Sequence, residues 1–319
     1  MRFGLPVLAA LAALLAACAA PAAAPDADQG RDMAIPALEP VDLAAGEKLR
    51  VVATTGIVGD VAAQVGGDLI DLTVLIDPGV DPHSYQPVAA DLALAEDAHV
   101  LLVNGLHLEE GLLATLESVG GTVPLVPVSA GVEVLAGGEH GEGDPHTWMD
   151  PANVMIWADN IAAAFSALHP AHAADYQANA AAYRVQLEAL DAYIREQAAR
   201  IPQANRKLVT NHEAFGYFAA RYGFEVVGTV YLGASQLAEP SAGDMARLVE
   251  TIRAEGVRAI FIETTVNDAL ARTISAEIGT PIGVYTLYTG SLGAPGSGAD
   301  SYTGMMRANI DTIVAALGS

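Results

Sequence analysis

A change of hydrophobic period partway along the chain limits the folds open to it more than its composition does. From Pro151 to Ile201 the pattern is almost continuous helix, whereas on both sides short strand-like apolar runs alternate with helical segments. Within the helical stretch, Tyr176, Ala180, Tyr183, Leu187, Leu190 and Ile194 recur at 4-3-4-3-4 spacing and so share one stripe. A helix from Ala171 to Arg200 would be about 45 Å long at roughly 1.5 Å per residue, enough to run the height of two domains. A shorter helix marked by Met155, Ile156, Ile161 and Phe165 precedes it and stops near His169-Pro170.

The first alternating block predicts strands at Leu49 to Ala53, Leu72 to Ile76, Val100 to Val103 and Val123 to Val128. Helices are expected over Val88 to Glu96 and from Leu108. The second block predicts strands at Lys207 to Thr210, Glu225 to Tyr231, Arg258 to Ile262 and Ile282 to Tyr285. Its helices fall at Ala214 to Tyr222, Ala242 to Glu255, Asn267 to Ile278 and Tyr302 to Leu317. Strand-helix alternation of this kind implies βα units and mainly parallel pairing. The expected fold is therefore α/β: two lobes, each a mainly parallel four-stranded sheet flanked by helices, joined by one long backbone helix. The lobes are placed at residues 47–170 and 202–319, with the linking helix at 171–201.

The N-terminus carries a targeting signal. Met1-Arg2 precedes an apolar run of 13 residues, Leu5 to Ala17, too short to span a bilayer and laid out as a secretory signal. Leu15-Ala16-Ala17-Cys18 resembles a lipoprotein cleavage site, so residues 1–17 would be removed and Cys18 would carry lipid. Residues 18–46, rich in Ala, Pro and Asp without a hydrophobic period, read as a disordered tether above a membrane. Cys18 is the only cysteine, so no intrachain disulfide can form and any metal site must use nitrogen and oxygen. A formal charge of −23, from 38 acidic and 15 basic residues, argues against nucleic acid as a partner. It also attracts cations, although acidity serves solubility as well.

One pattern occurs twice: Asp81-Pro82-His83-Ser84-Tyr85 and Asp144-Pro145-His146-Thr147-Trp148. In each, a proline stiffens the backbone before an imidazole and an aromatic can wall that imidazole from water. Both follow predicted strands, which places both histidines at the carboxyl edge of one sheet, where open α/β folds bind ligands. The second lobe offers His212, where a strand gives way to a helix, and Asp300, in a Gly-rich loop before the last helix. Asp300 also reads as a helix N-cap. Three imidazoles and one carboxylate would make a closed four-coordinate site of a kind zinc accepts.

These motifs resemble those of the metal-binding lipoprotein receptors of bacterial zinc and manganese ABC importers, the cluster A-I or cluster 9 solute-binding family. The resemblance runs through DPHSYQP at 81–87, NGLHLEEGL at 104–112, DPHTWMDP at 144–151 and TNHEAFGYFAARYGF at 210–224. It continues in EPSAGDMARLVETIR at 239–253, AIFIETT at 259–265 and ADSYTGMMRANIDTI at 299–313. It implies a monomeric extracytoplasmic protein, lipid-anchored through Cys18, that binds one divalent metal and delivers it to an ABC permease. By motif, the implied ligands are His83, His146, His212 and Asp300. The family often has glutamate at the position of His212 in manganese receptors, so this histidine favours Zn2+, with Mn2+ as the alternative. The short segment from Gly137 to Asp144 stands where zinc receptors often have a long His-rich loop, and its single His140 reads as part of a solvated loop. Glu263, ending a predicted strand, is a candidate for orienting a ligand imidazole, and Glu213 is expected to point away. His99, His107, His169 and His172 read as surface or capping groups. Two rival readings are a zinc hydrolase, using the three histidines with water in the fourth position, and an adhesin with incidental metal.

Overall fold

A computed structural model of the chain describes Met1 and residues 33–118, 122–137, 143–231, 240–264, 268–279 and 282–318. The expected signal peptide, Cys18 and residues 18–32 of the expected tether lie outside the described residues, as does His140. Among the described residues, no helix is long and apolar enough to cross a membrane.

The first lobe runs β1 (Leu49–Ala53), α1 (Gly56–Gly66), β2 (Ile70–Val74), α2 (Ala89–Asp97), β3 (Val100–Val103), α3 (Glu110–Ser118) and β4 (Leu125–Pro127). Two helices follow, α4 (Pro151–Leu168) and α5 (Ala173–Ala199). The second lobe runs β5 (Lys207–Thr210), α6 (Gly216–Tyr222), β6 (Glu225–Thr229), α7 (Ala242–Glu255), β7 (Ala259–Glu263), α8 (Ala269–Glu277), β8 (Gly283–Leu287) and α9 (Tyr302–Leu317). Both sheets are four-stranded and parallel throughout. Their orders, β2-β1-β3-β4 and β6-β5-β7-β8, are the same winding used twice.

Side-chain alternation along the strands explains how the lobes join. In β1, Val51 and Ala53 enter the large core while Val52 enters a smaller cluster with Leu101, Val103 and Leu112. In β7, Ala259 and Phe261 enter the same large core, and Ile260 and Ile262 enter a cluster with Val209, Val249 and Ile274. Because strand side chains alternate between faces, each sheet keeps one face for its own helices and gives the other to a core shared by both lobes.

Helix α5 sits in that shared core. Its buried residues are Tyr176, Ala180, Tyr183, Leu187, Leu190, Ile194 and Ala198, the expected stripe with one further turn. It packs on α1 and α4 from the first lobe and on α6 and α9 from the second. The helix starts two residues later than expected, because Pro170-Ala171-His172 forms a 3-10 turn. Asp150 caps α4, accepting from Ala152 N at 2.8 Å, with Pro151 following as the first helical residue.

The stretch expected to be a tether as far as Gly46 joins the fold before that point. Val41 N donates to Leu168 O at 2.8 Å, and Leu38, Val41 and Leu43 pack on the shared core. Three apolar side chains at short range supply burial enough to hold this stretch on the core.

Candidate metal centre

The site lies where the carboxyl ends of the two sheets face each other. His83 sits on a 3-10 turn, Pro82–Ser84, in the connection after β2. His146 precedes another such turn, Thr147–Met149, after β4. His212 follows β5, and Glu263 is the last residue of β7, the strand beside it. In this strand order β5 and β7 flank the point where the winding reverses, the crevice in which open α/β sheets hold ligands.

The repeated motif owes its shape to its aspartates. Asp81 Oδ1 accepts from His83 N at 3.0 Å, and Asp144 Oδ1 accepts from His146 N at 2.9 Å. Each aspartate thereby closes a side-chain turn that sets the histidine two residues on. The copies differ beyond that. Asp81 Oδ2 takes Ser84 Oγ at 3.2 Å, whereas Asp144 Oδ1 lies 2.8 Å from His146 Nδ1. Trp148, the motif's aromatic, stands edge-on to His146 with centroids 5.2 Å apart, and its Nε1 donates across the cleft to Thr289 O at 2.9 Å.

Three imidazoles converge. His146 Nε2 is 3.0 Å from His83 Nε2 and 3.1 Å from His212 Nε2. His146 and His212 are buried and His83 is half-buried. Metal bonds of about 2.0–2.1 Å in a tetrahedral zinc site place neighbouring ligand atoms roughly 3.3–3.4 Å apart, so small adjustments would seat an ion.

Glu263 Oε1 lies 2.6 Å from His212 Nδ1 and accepts from Asn211 Nδ2 at 2.8 Å, and Thr289 Oγ1 donates to Oε2. Burial alone would raise the Glu263 carboxyl, but the hydrogen bond and charge of His212, with Thr289 and Asn211, hold it below the ordinary range. An ionised carboxylate only accepts, so the proton sits on His212 Nδ1 and Nε2 is turned to the centre. Burial would lower His212, and the hydrogen bond and charge of Glu263 outweigh it, so its pKa is raised. Burial, then the two neighbouring imidazoles, push His83 well below the ordinary histidine value, leaving it neutral and ready to ligate.

The expected fourth ligand is not in this cluster. Among the described residues, the metal-capable group within mutual reach consists of His83, His146 and His212 alone. Asp300 is exposed, and its Oδ2 accepts from Gly296 N at 2.7 Å. It lines a cleft of about 230 Å³ with Gly56, Pro78, Ser291 and Leu292. Nor does it cap α9, since Ser301 Oγ accepts from Gly304 N at 3.2 Å instead. The cause is local closure of the Gly-rich loop, in which Gly293 N also donates to Ala299 O at 2.8 Å. The part of this loop that approaches the histidine turn is Gly290, where a Cβ would lie 3.0 Å from Pro82 Cδ.

Three further histidines have structural partners. His99 Nδ1 accepts from Arg50 N at 3.0 Å, His169 pairs with Tyr176, and His172 pairs with Asp175. Glu213 is exposed. Sequence reasoning overlooked Asn104, which is buried and donates from Nδ2 to Pro145 O at 3.0 Å, fixing the backbone just before His146. The residues after it, Gly105, Leu106 and His107, all have left-handed φ, of 85°, 55° and 59°. Only Gly105 hinted at that turn.

Residues 51–316 match the family model described as zinc-uptake complex component A, periplasmic. The chain is 36% identical over 272 residues to the manganese-binding lipoprotein MntA of Halalkalibacterium halodurans, covering 85% of this chain and 89% of that protein. It is 35% identical over 275 residues to the iron-binding protein YfeA of Yersinia pestis, covering 85% and 87%. With the zinc-binding protein TroA of Treponema pallidum it shares 37% identity over 290 residues, covering 86% and 91%. The solved structure of TroA superposes with a TM-score of 0.80 at 34% identity, over 85% of this chain and 99% of that one. Streptococcal relatives are named as substrate-binding lipoproteins of manganese ABC transporters.

Proposed function

Because the chain belongs to the family of periplasmic zinc-uptake component A proteins, we propose that it captures one divalent transition metal and delivers it to an ABC permease. The single observation that carries this reading is the convergence of three Nε2 atoms from two lobes on one buried point. His83, His146 and His212 are the ligands in this reading, and Glu263 is the group that orients His212. The metal is cargo: nothing in its handling requires a bond in another molecule to break. The protein works outside the cytoplasm, and its attachment by lipid on Cys18 follows from the cleavage-site pattern and from lipoprotein relatives.

Zinc is the favoured cargo. Three imidazoles, with no carboxylate gathered beside them among the described residues, suit zinc better than manganese, which prefers oxygen donors. The relatives' names span manganese, iron and zinc, so the choice rests on this donor set. Metal analysis of protein purified without supplementation, followed by competition between zinc and manganese, tests it. One tightly held zinc per chain that excess manganese does not displace is expected. Preferential retention of manganese would move the protein to the alternative cargo, and no stoichiometric metal at all would end the receptor reading.

The position of Asp300 gives the hydrolase reading an opening, since three histidines with a vacant coordination position can also activate water. A hydrolase needs a base beside that water. Among the described residues, the carboxylates beside the histidines are already engaged: Asp81 with its own turn, Asp144 with His146, and Glu263 with His212. Turnover of peptides or esters by the zinc-loaded protein, abolished by His146→Ala, would reverse the preference for a receptor.

A further inference from the structure

We propose that Asp144 is a positioning residue that fixes the ring orientation of His146, and that Gly216, from the opposite lobe, forms the slot that keeps it in place. The two copies of the motif make the comparison internally. If aspartate served only to shape the turn, both copies would look alike, because both accept from the histidine backbone at 2.9–3.0 Å. In the second copy alone the same oxygen also meets the imidazole, at 2.8 Å from His146 Nδ1. A carboxylate cannot donate, so this contact places the proton on Nδ1 and leaves the Nε2 lone pair on the shared centre.

The other carboxylate oxygen shows how the group is held. Gly216 is the first residue of α6, and a Cβ there would lie 2.6 Å from Asp144 Oδ2, closer than real contacts allow. Its neighbour Tyr217 donates from its hydroxyl to Asp144 O at 2.9 Å and accepts from Leu135 N at 3.1 Å. Residues 216 and 217 of the second lobe thus meet both the carboxylate and the backbone of residue 144 in the first. The same short segment begins four residues after His212, itself a proposed ligand. A displacement of α6 therefore disturbs two ligands at once, one carried directly and one through Asp144. Among the described residues, carboxylates meet the rings of His146 and His212 but not that of His83, which Asp81 holds through its backbone.

The effect on metal affinity rests on the receptor reading, whereas the tautomer can be measured without metal. Nitrogen-15 NMR of the metal-free full chain should show His146 as the Nδ1–H tautomer, assigned against His83→Gln and His212→Gln variants. Asp144→Ala should release that preference and weaken zinc binding by roughly 10–100-fold, with a changed visible spectrum of the cobalt-substituted protein. Asp144→Asn, which retains an accepting oxygen but not the charge, should restore the tautomer and only part of the affinity. Gly216→Ala alters no donor, yet should shift the His146 Nδ1 resonance and lower zinc affinity severalfold. An Nδ1–H tautomer that survives Asp144→Ala with unchanged zinc affinity overturns the role of Asp144. An unmoved His146 resonance in Gly216→Ala overturns the slot. Wild-type protein that binds no metal but shows the expected tautomer would remove the receptor reading and leave the positioning contact standing.

Discussion

Glu263 gathers His212, Asn211 and Thr289 around one buried carboxylate. Replacing it with glutamine keeps the shape and an acceptor oxygen for His212 Nδ1 but removes the negative charge that makes the His212 ring more basic. Zinc affinity of Glu263→Gln, measured by chelator competition, should fall roughly 10–100-fold while the far-UV spectrum stays the same. His83 supplies a second test through pH. Its folded pKa lies below the unfolded value of 6.5, so the unfolded chain takes the proton first as pH falls. The metal-free protein therefore has the full His83 contribution above that value and loses it below. His212 acts in the opposite sense, its contribution being present below its unfolded value and lost as pH rises through the folded one. Melting of the metal-free protein at pH 7 and pH 5 should show His83→Gln gaining on wild type at the lower pH. A constant difference between the two proteins would contradict the buried neutral imidazole.

Among the elements, α5 was the most legible, because a stripe of six residues at helical spacing has few alternative readings. Leu190 lies on it with no exposure, and Val185, five residues earlier on the same helix, is 64% exposed. Leu190→Ala should cost about 2–5 kcal/mol in urea unfolding of the metal-free protein, and Val185→Ala should change stability by less than about 0.5 kcal/mol. Comparable losses at both positions would mean the stripe does not face the shared core. The strands were found within a few residues, since their apolar runs are short and bounded by turn-forming residues. Their order was not legible, because nothing local distinguishes a strand that pairs with its predecessor from one that crosses over it. That order matters here: it sets β5 beside β7 and so brings Glu263 to His212.

As a whole molecule the two lobes are closely joined. One core extends from Leu49 to Leu317, and polar bridges cross the cleft from Gly79 N to Ser291 Oγ at 2.7 Å and from Tyr302 N to Asp60 Oδ2 at 2.9 Å. Metal loading should therefore leave the radius of gyration in solution scattering unchanged within error while raising the melting temperature, by mass action on the folded state. A clear contraction on zinc addition would point to hinge closure between lobes. The residues alone determined the α/β alternation, the long helix and the three histidines, because side-chain period, a proline-stiffened repeat and imidazole chemistry are short-range properties. Tertiary structure decided that Asp300 turns outward, since the course of a Gly-rich loop depends on where it closes on itself. It also decided that Asp144 reaches a ring while Asp81 does not: His83 lies within its 3-10 turn and Ser84 donates to Asp81, whereas His146 precedes its turn and Tyr217 of the facing lobe holds the backbone of residue 144.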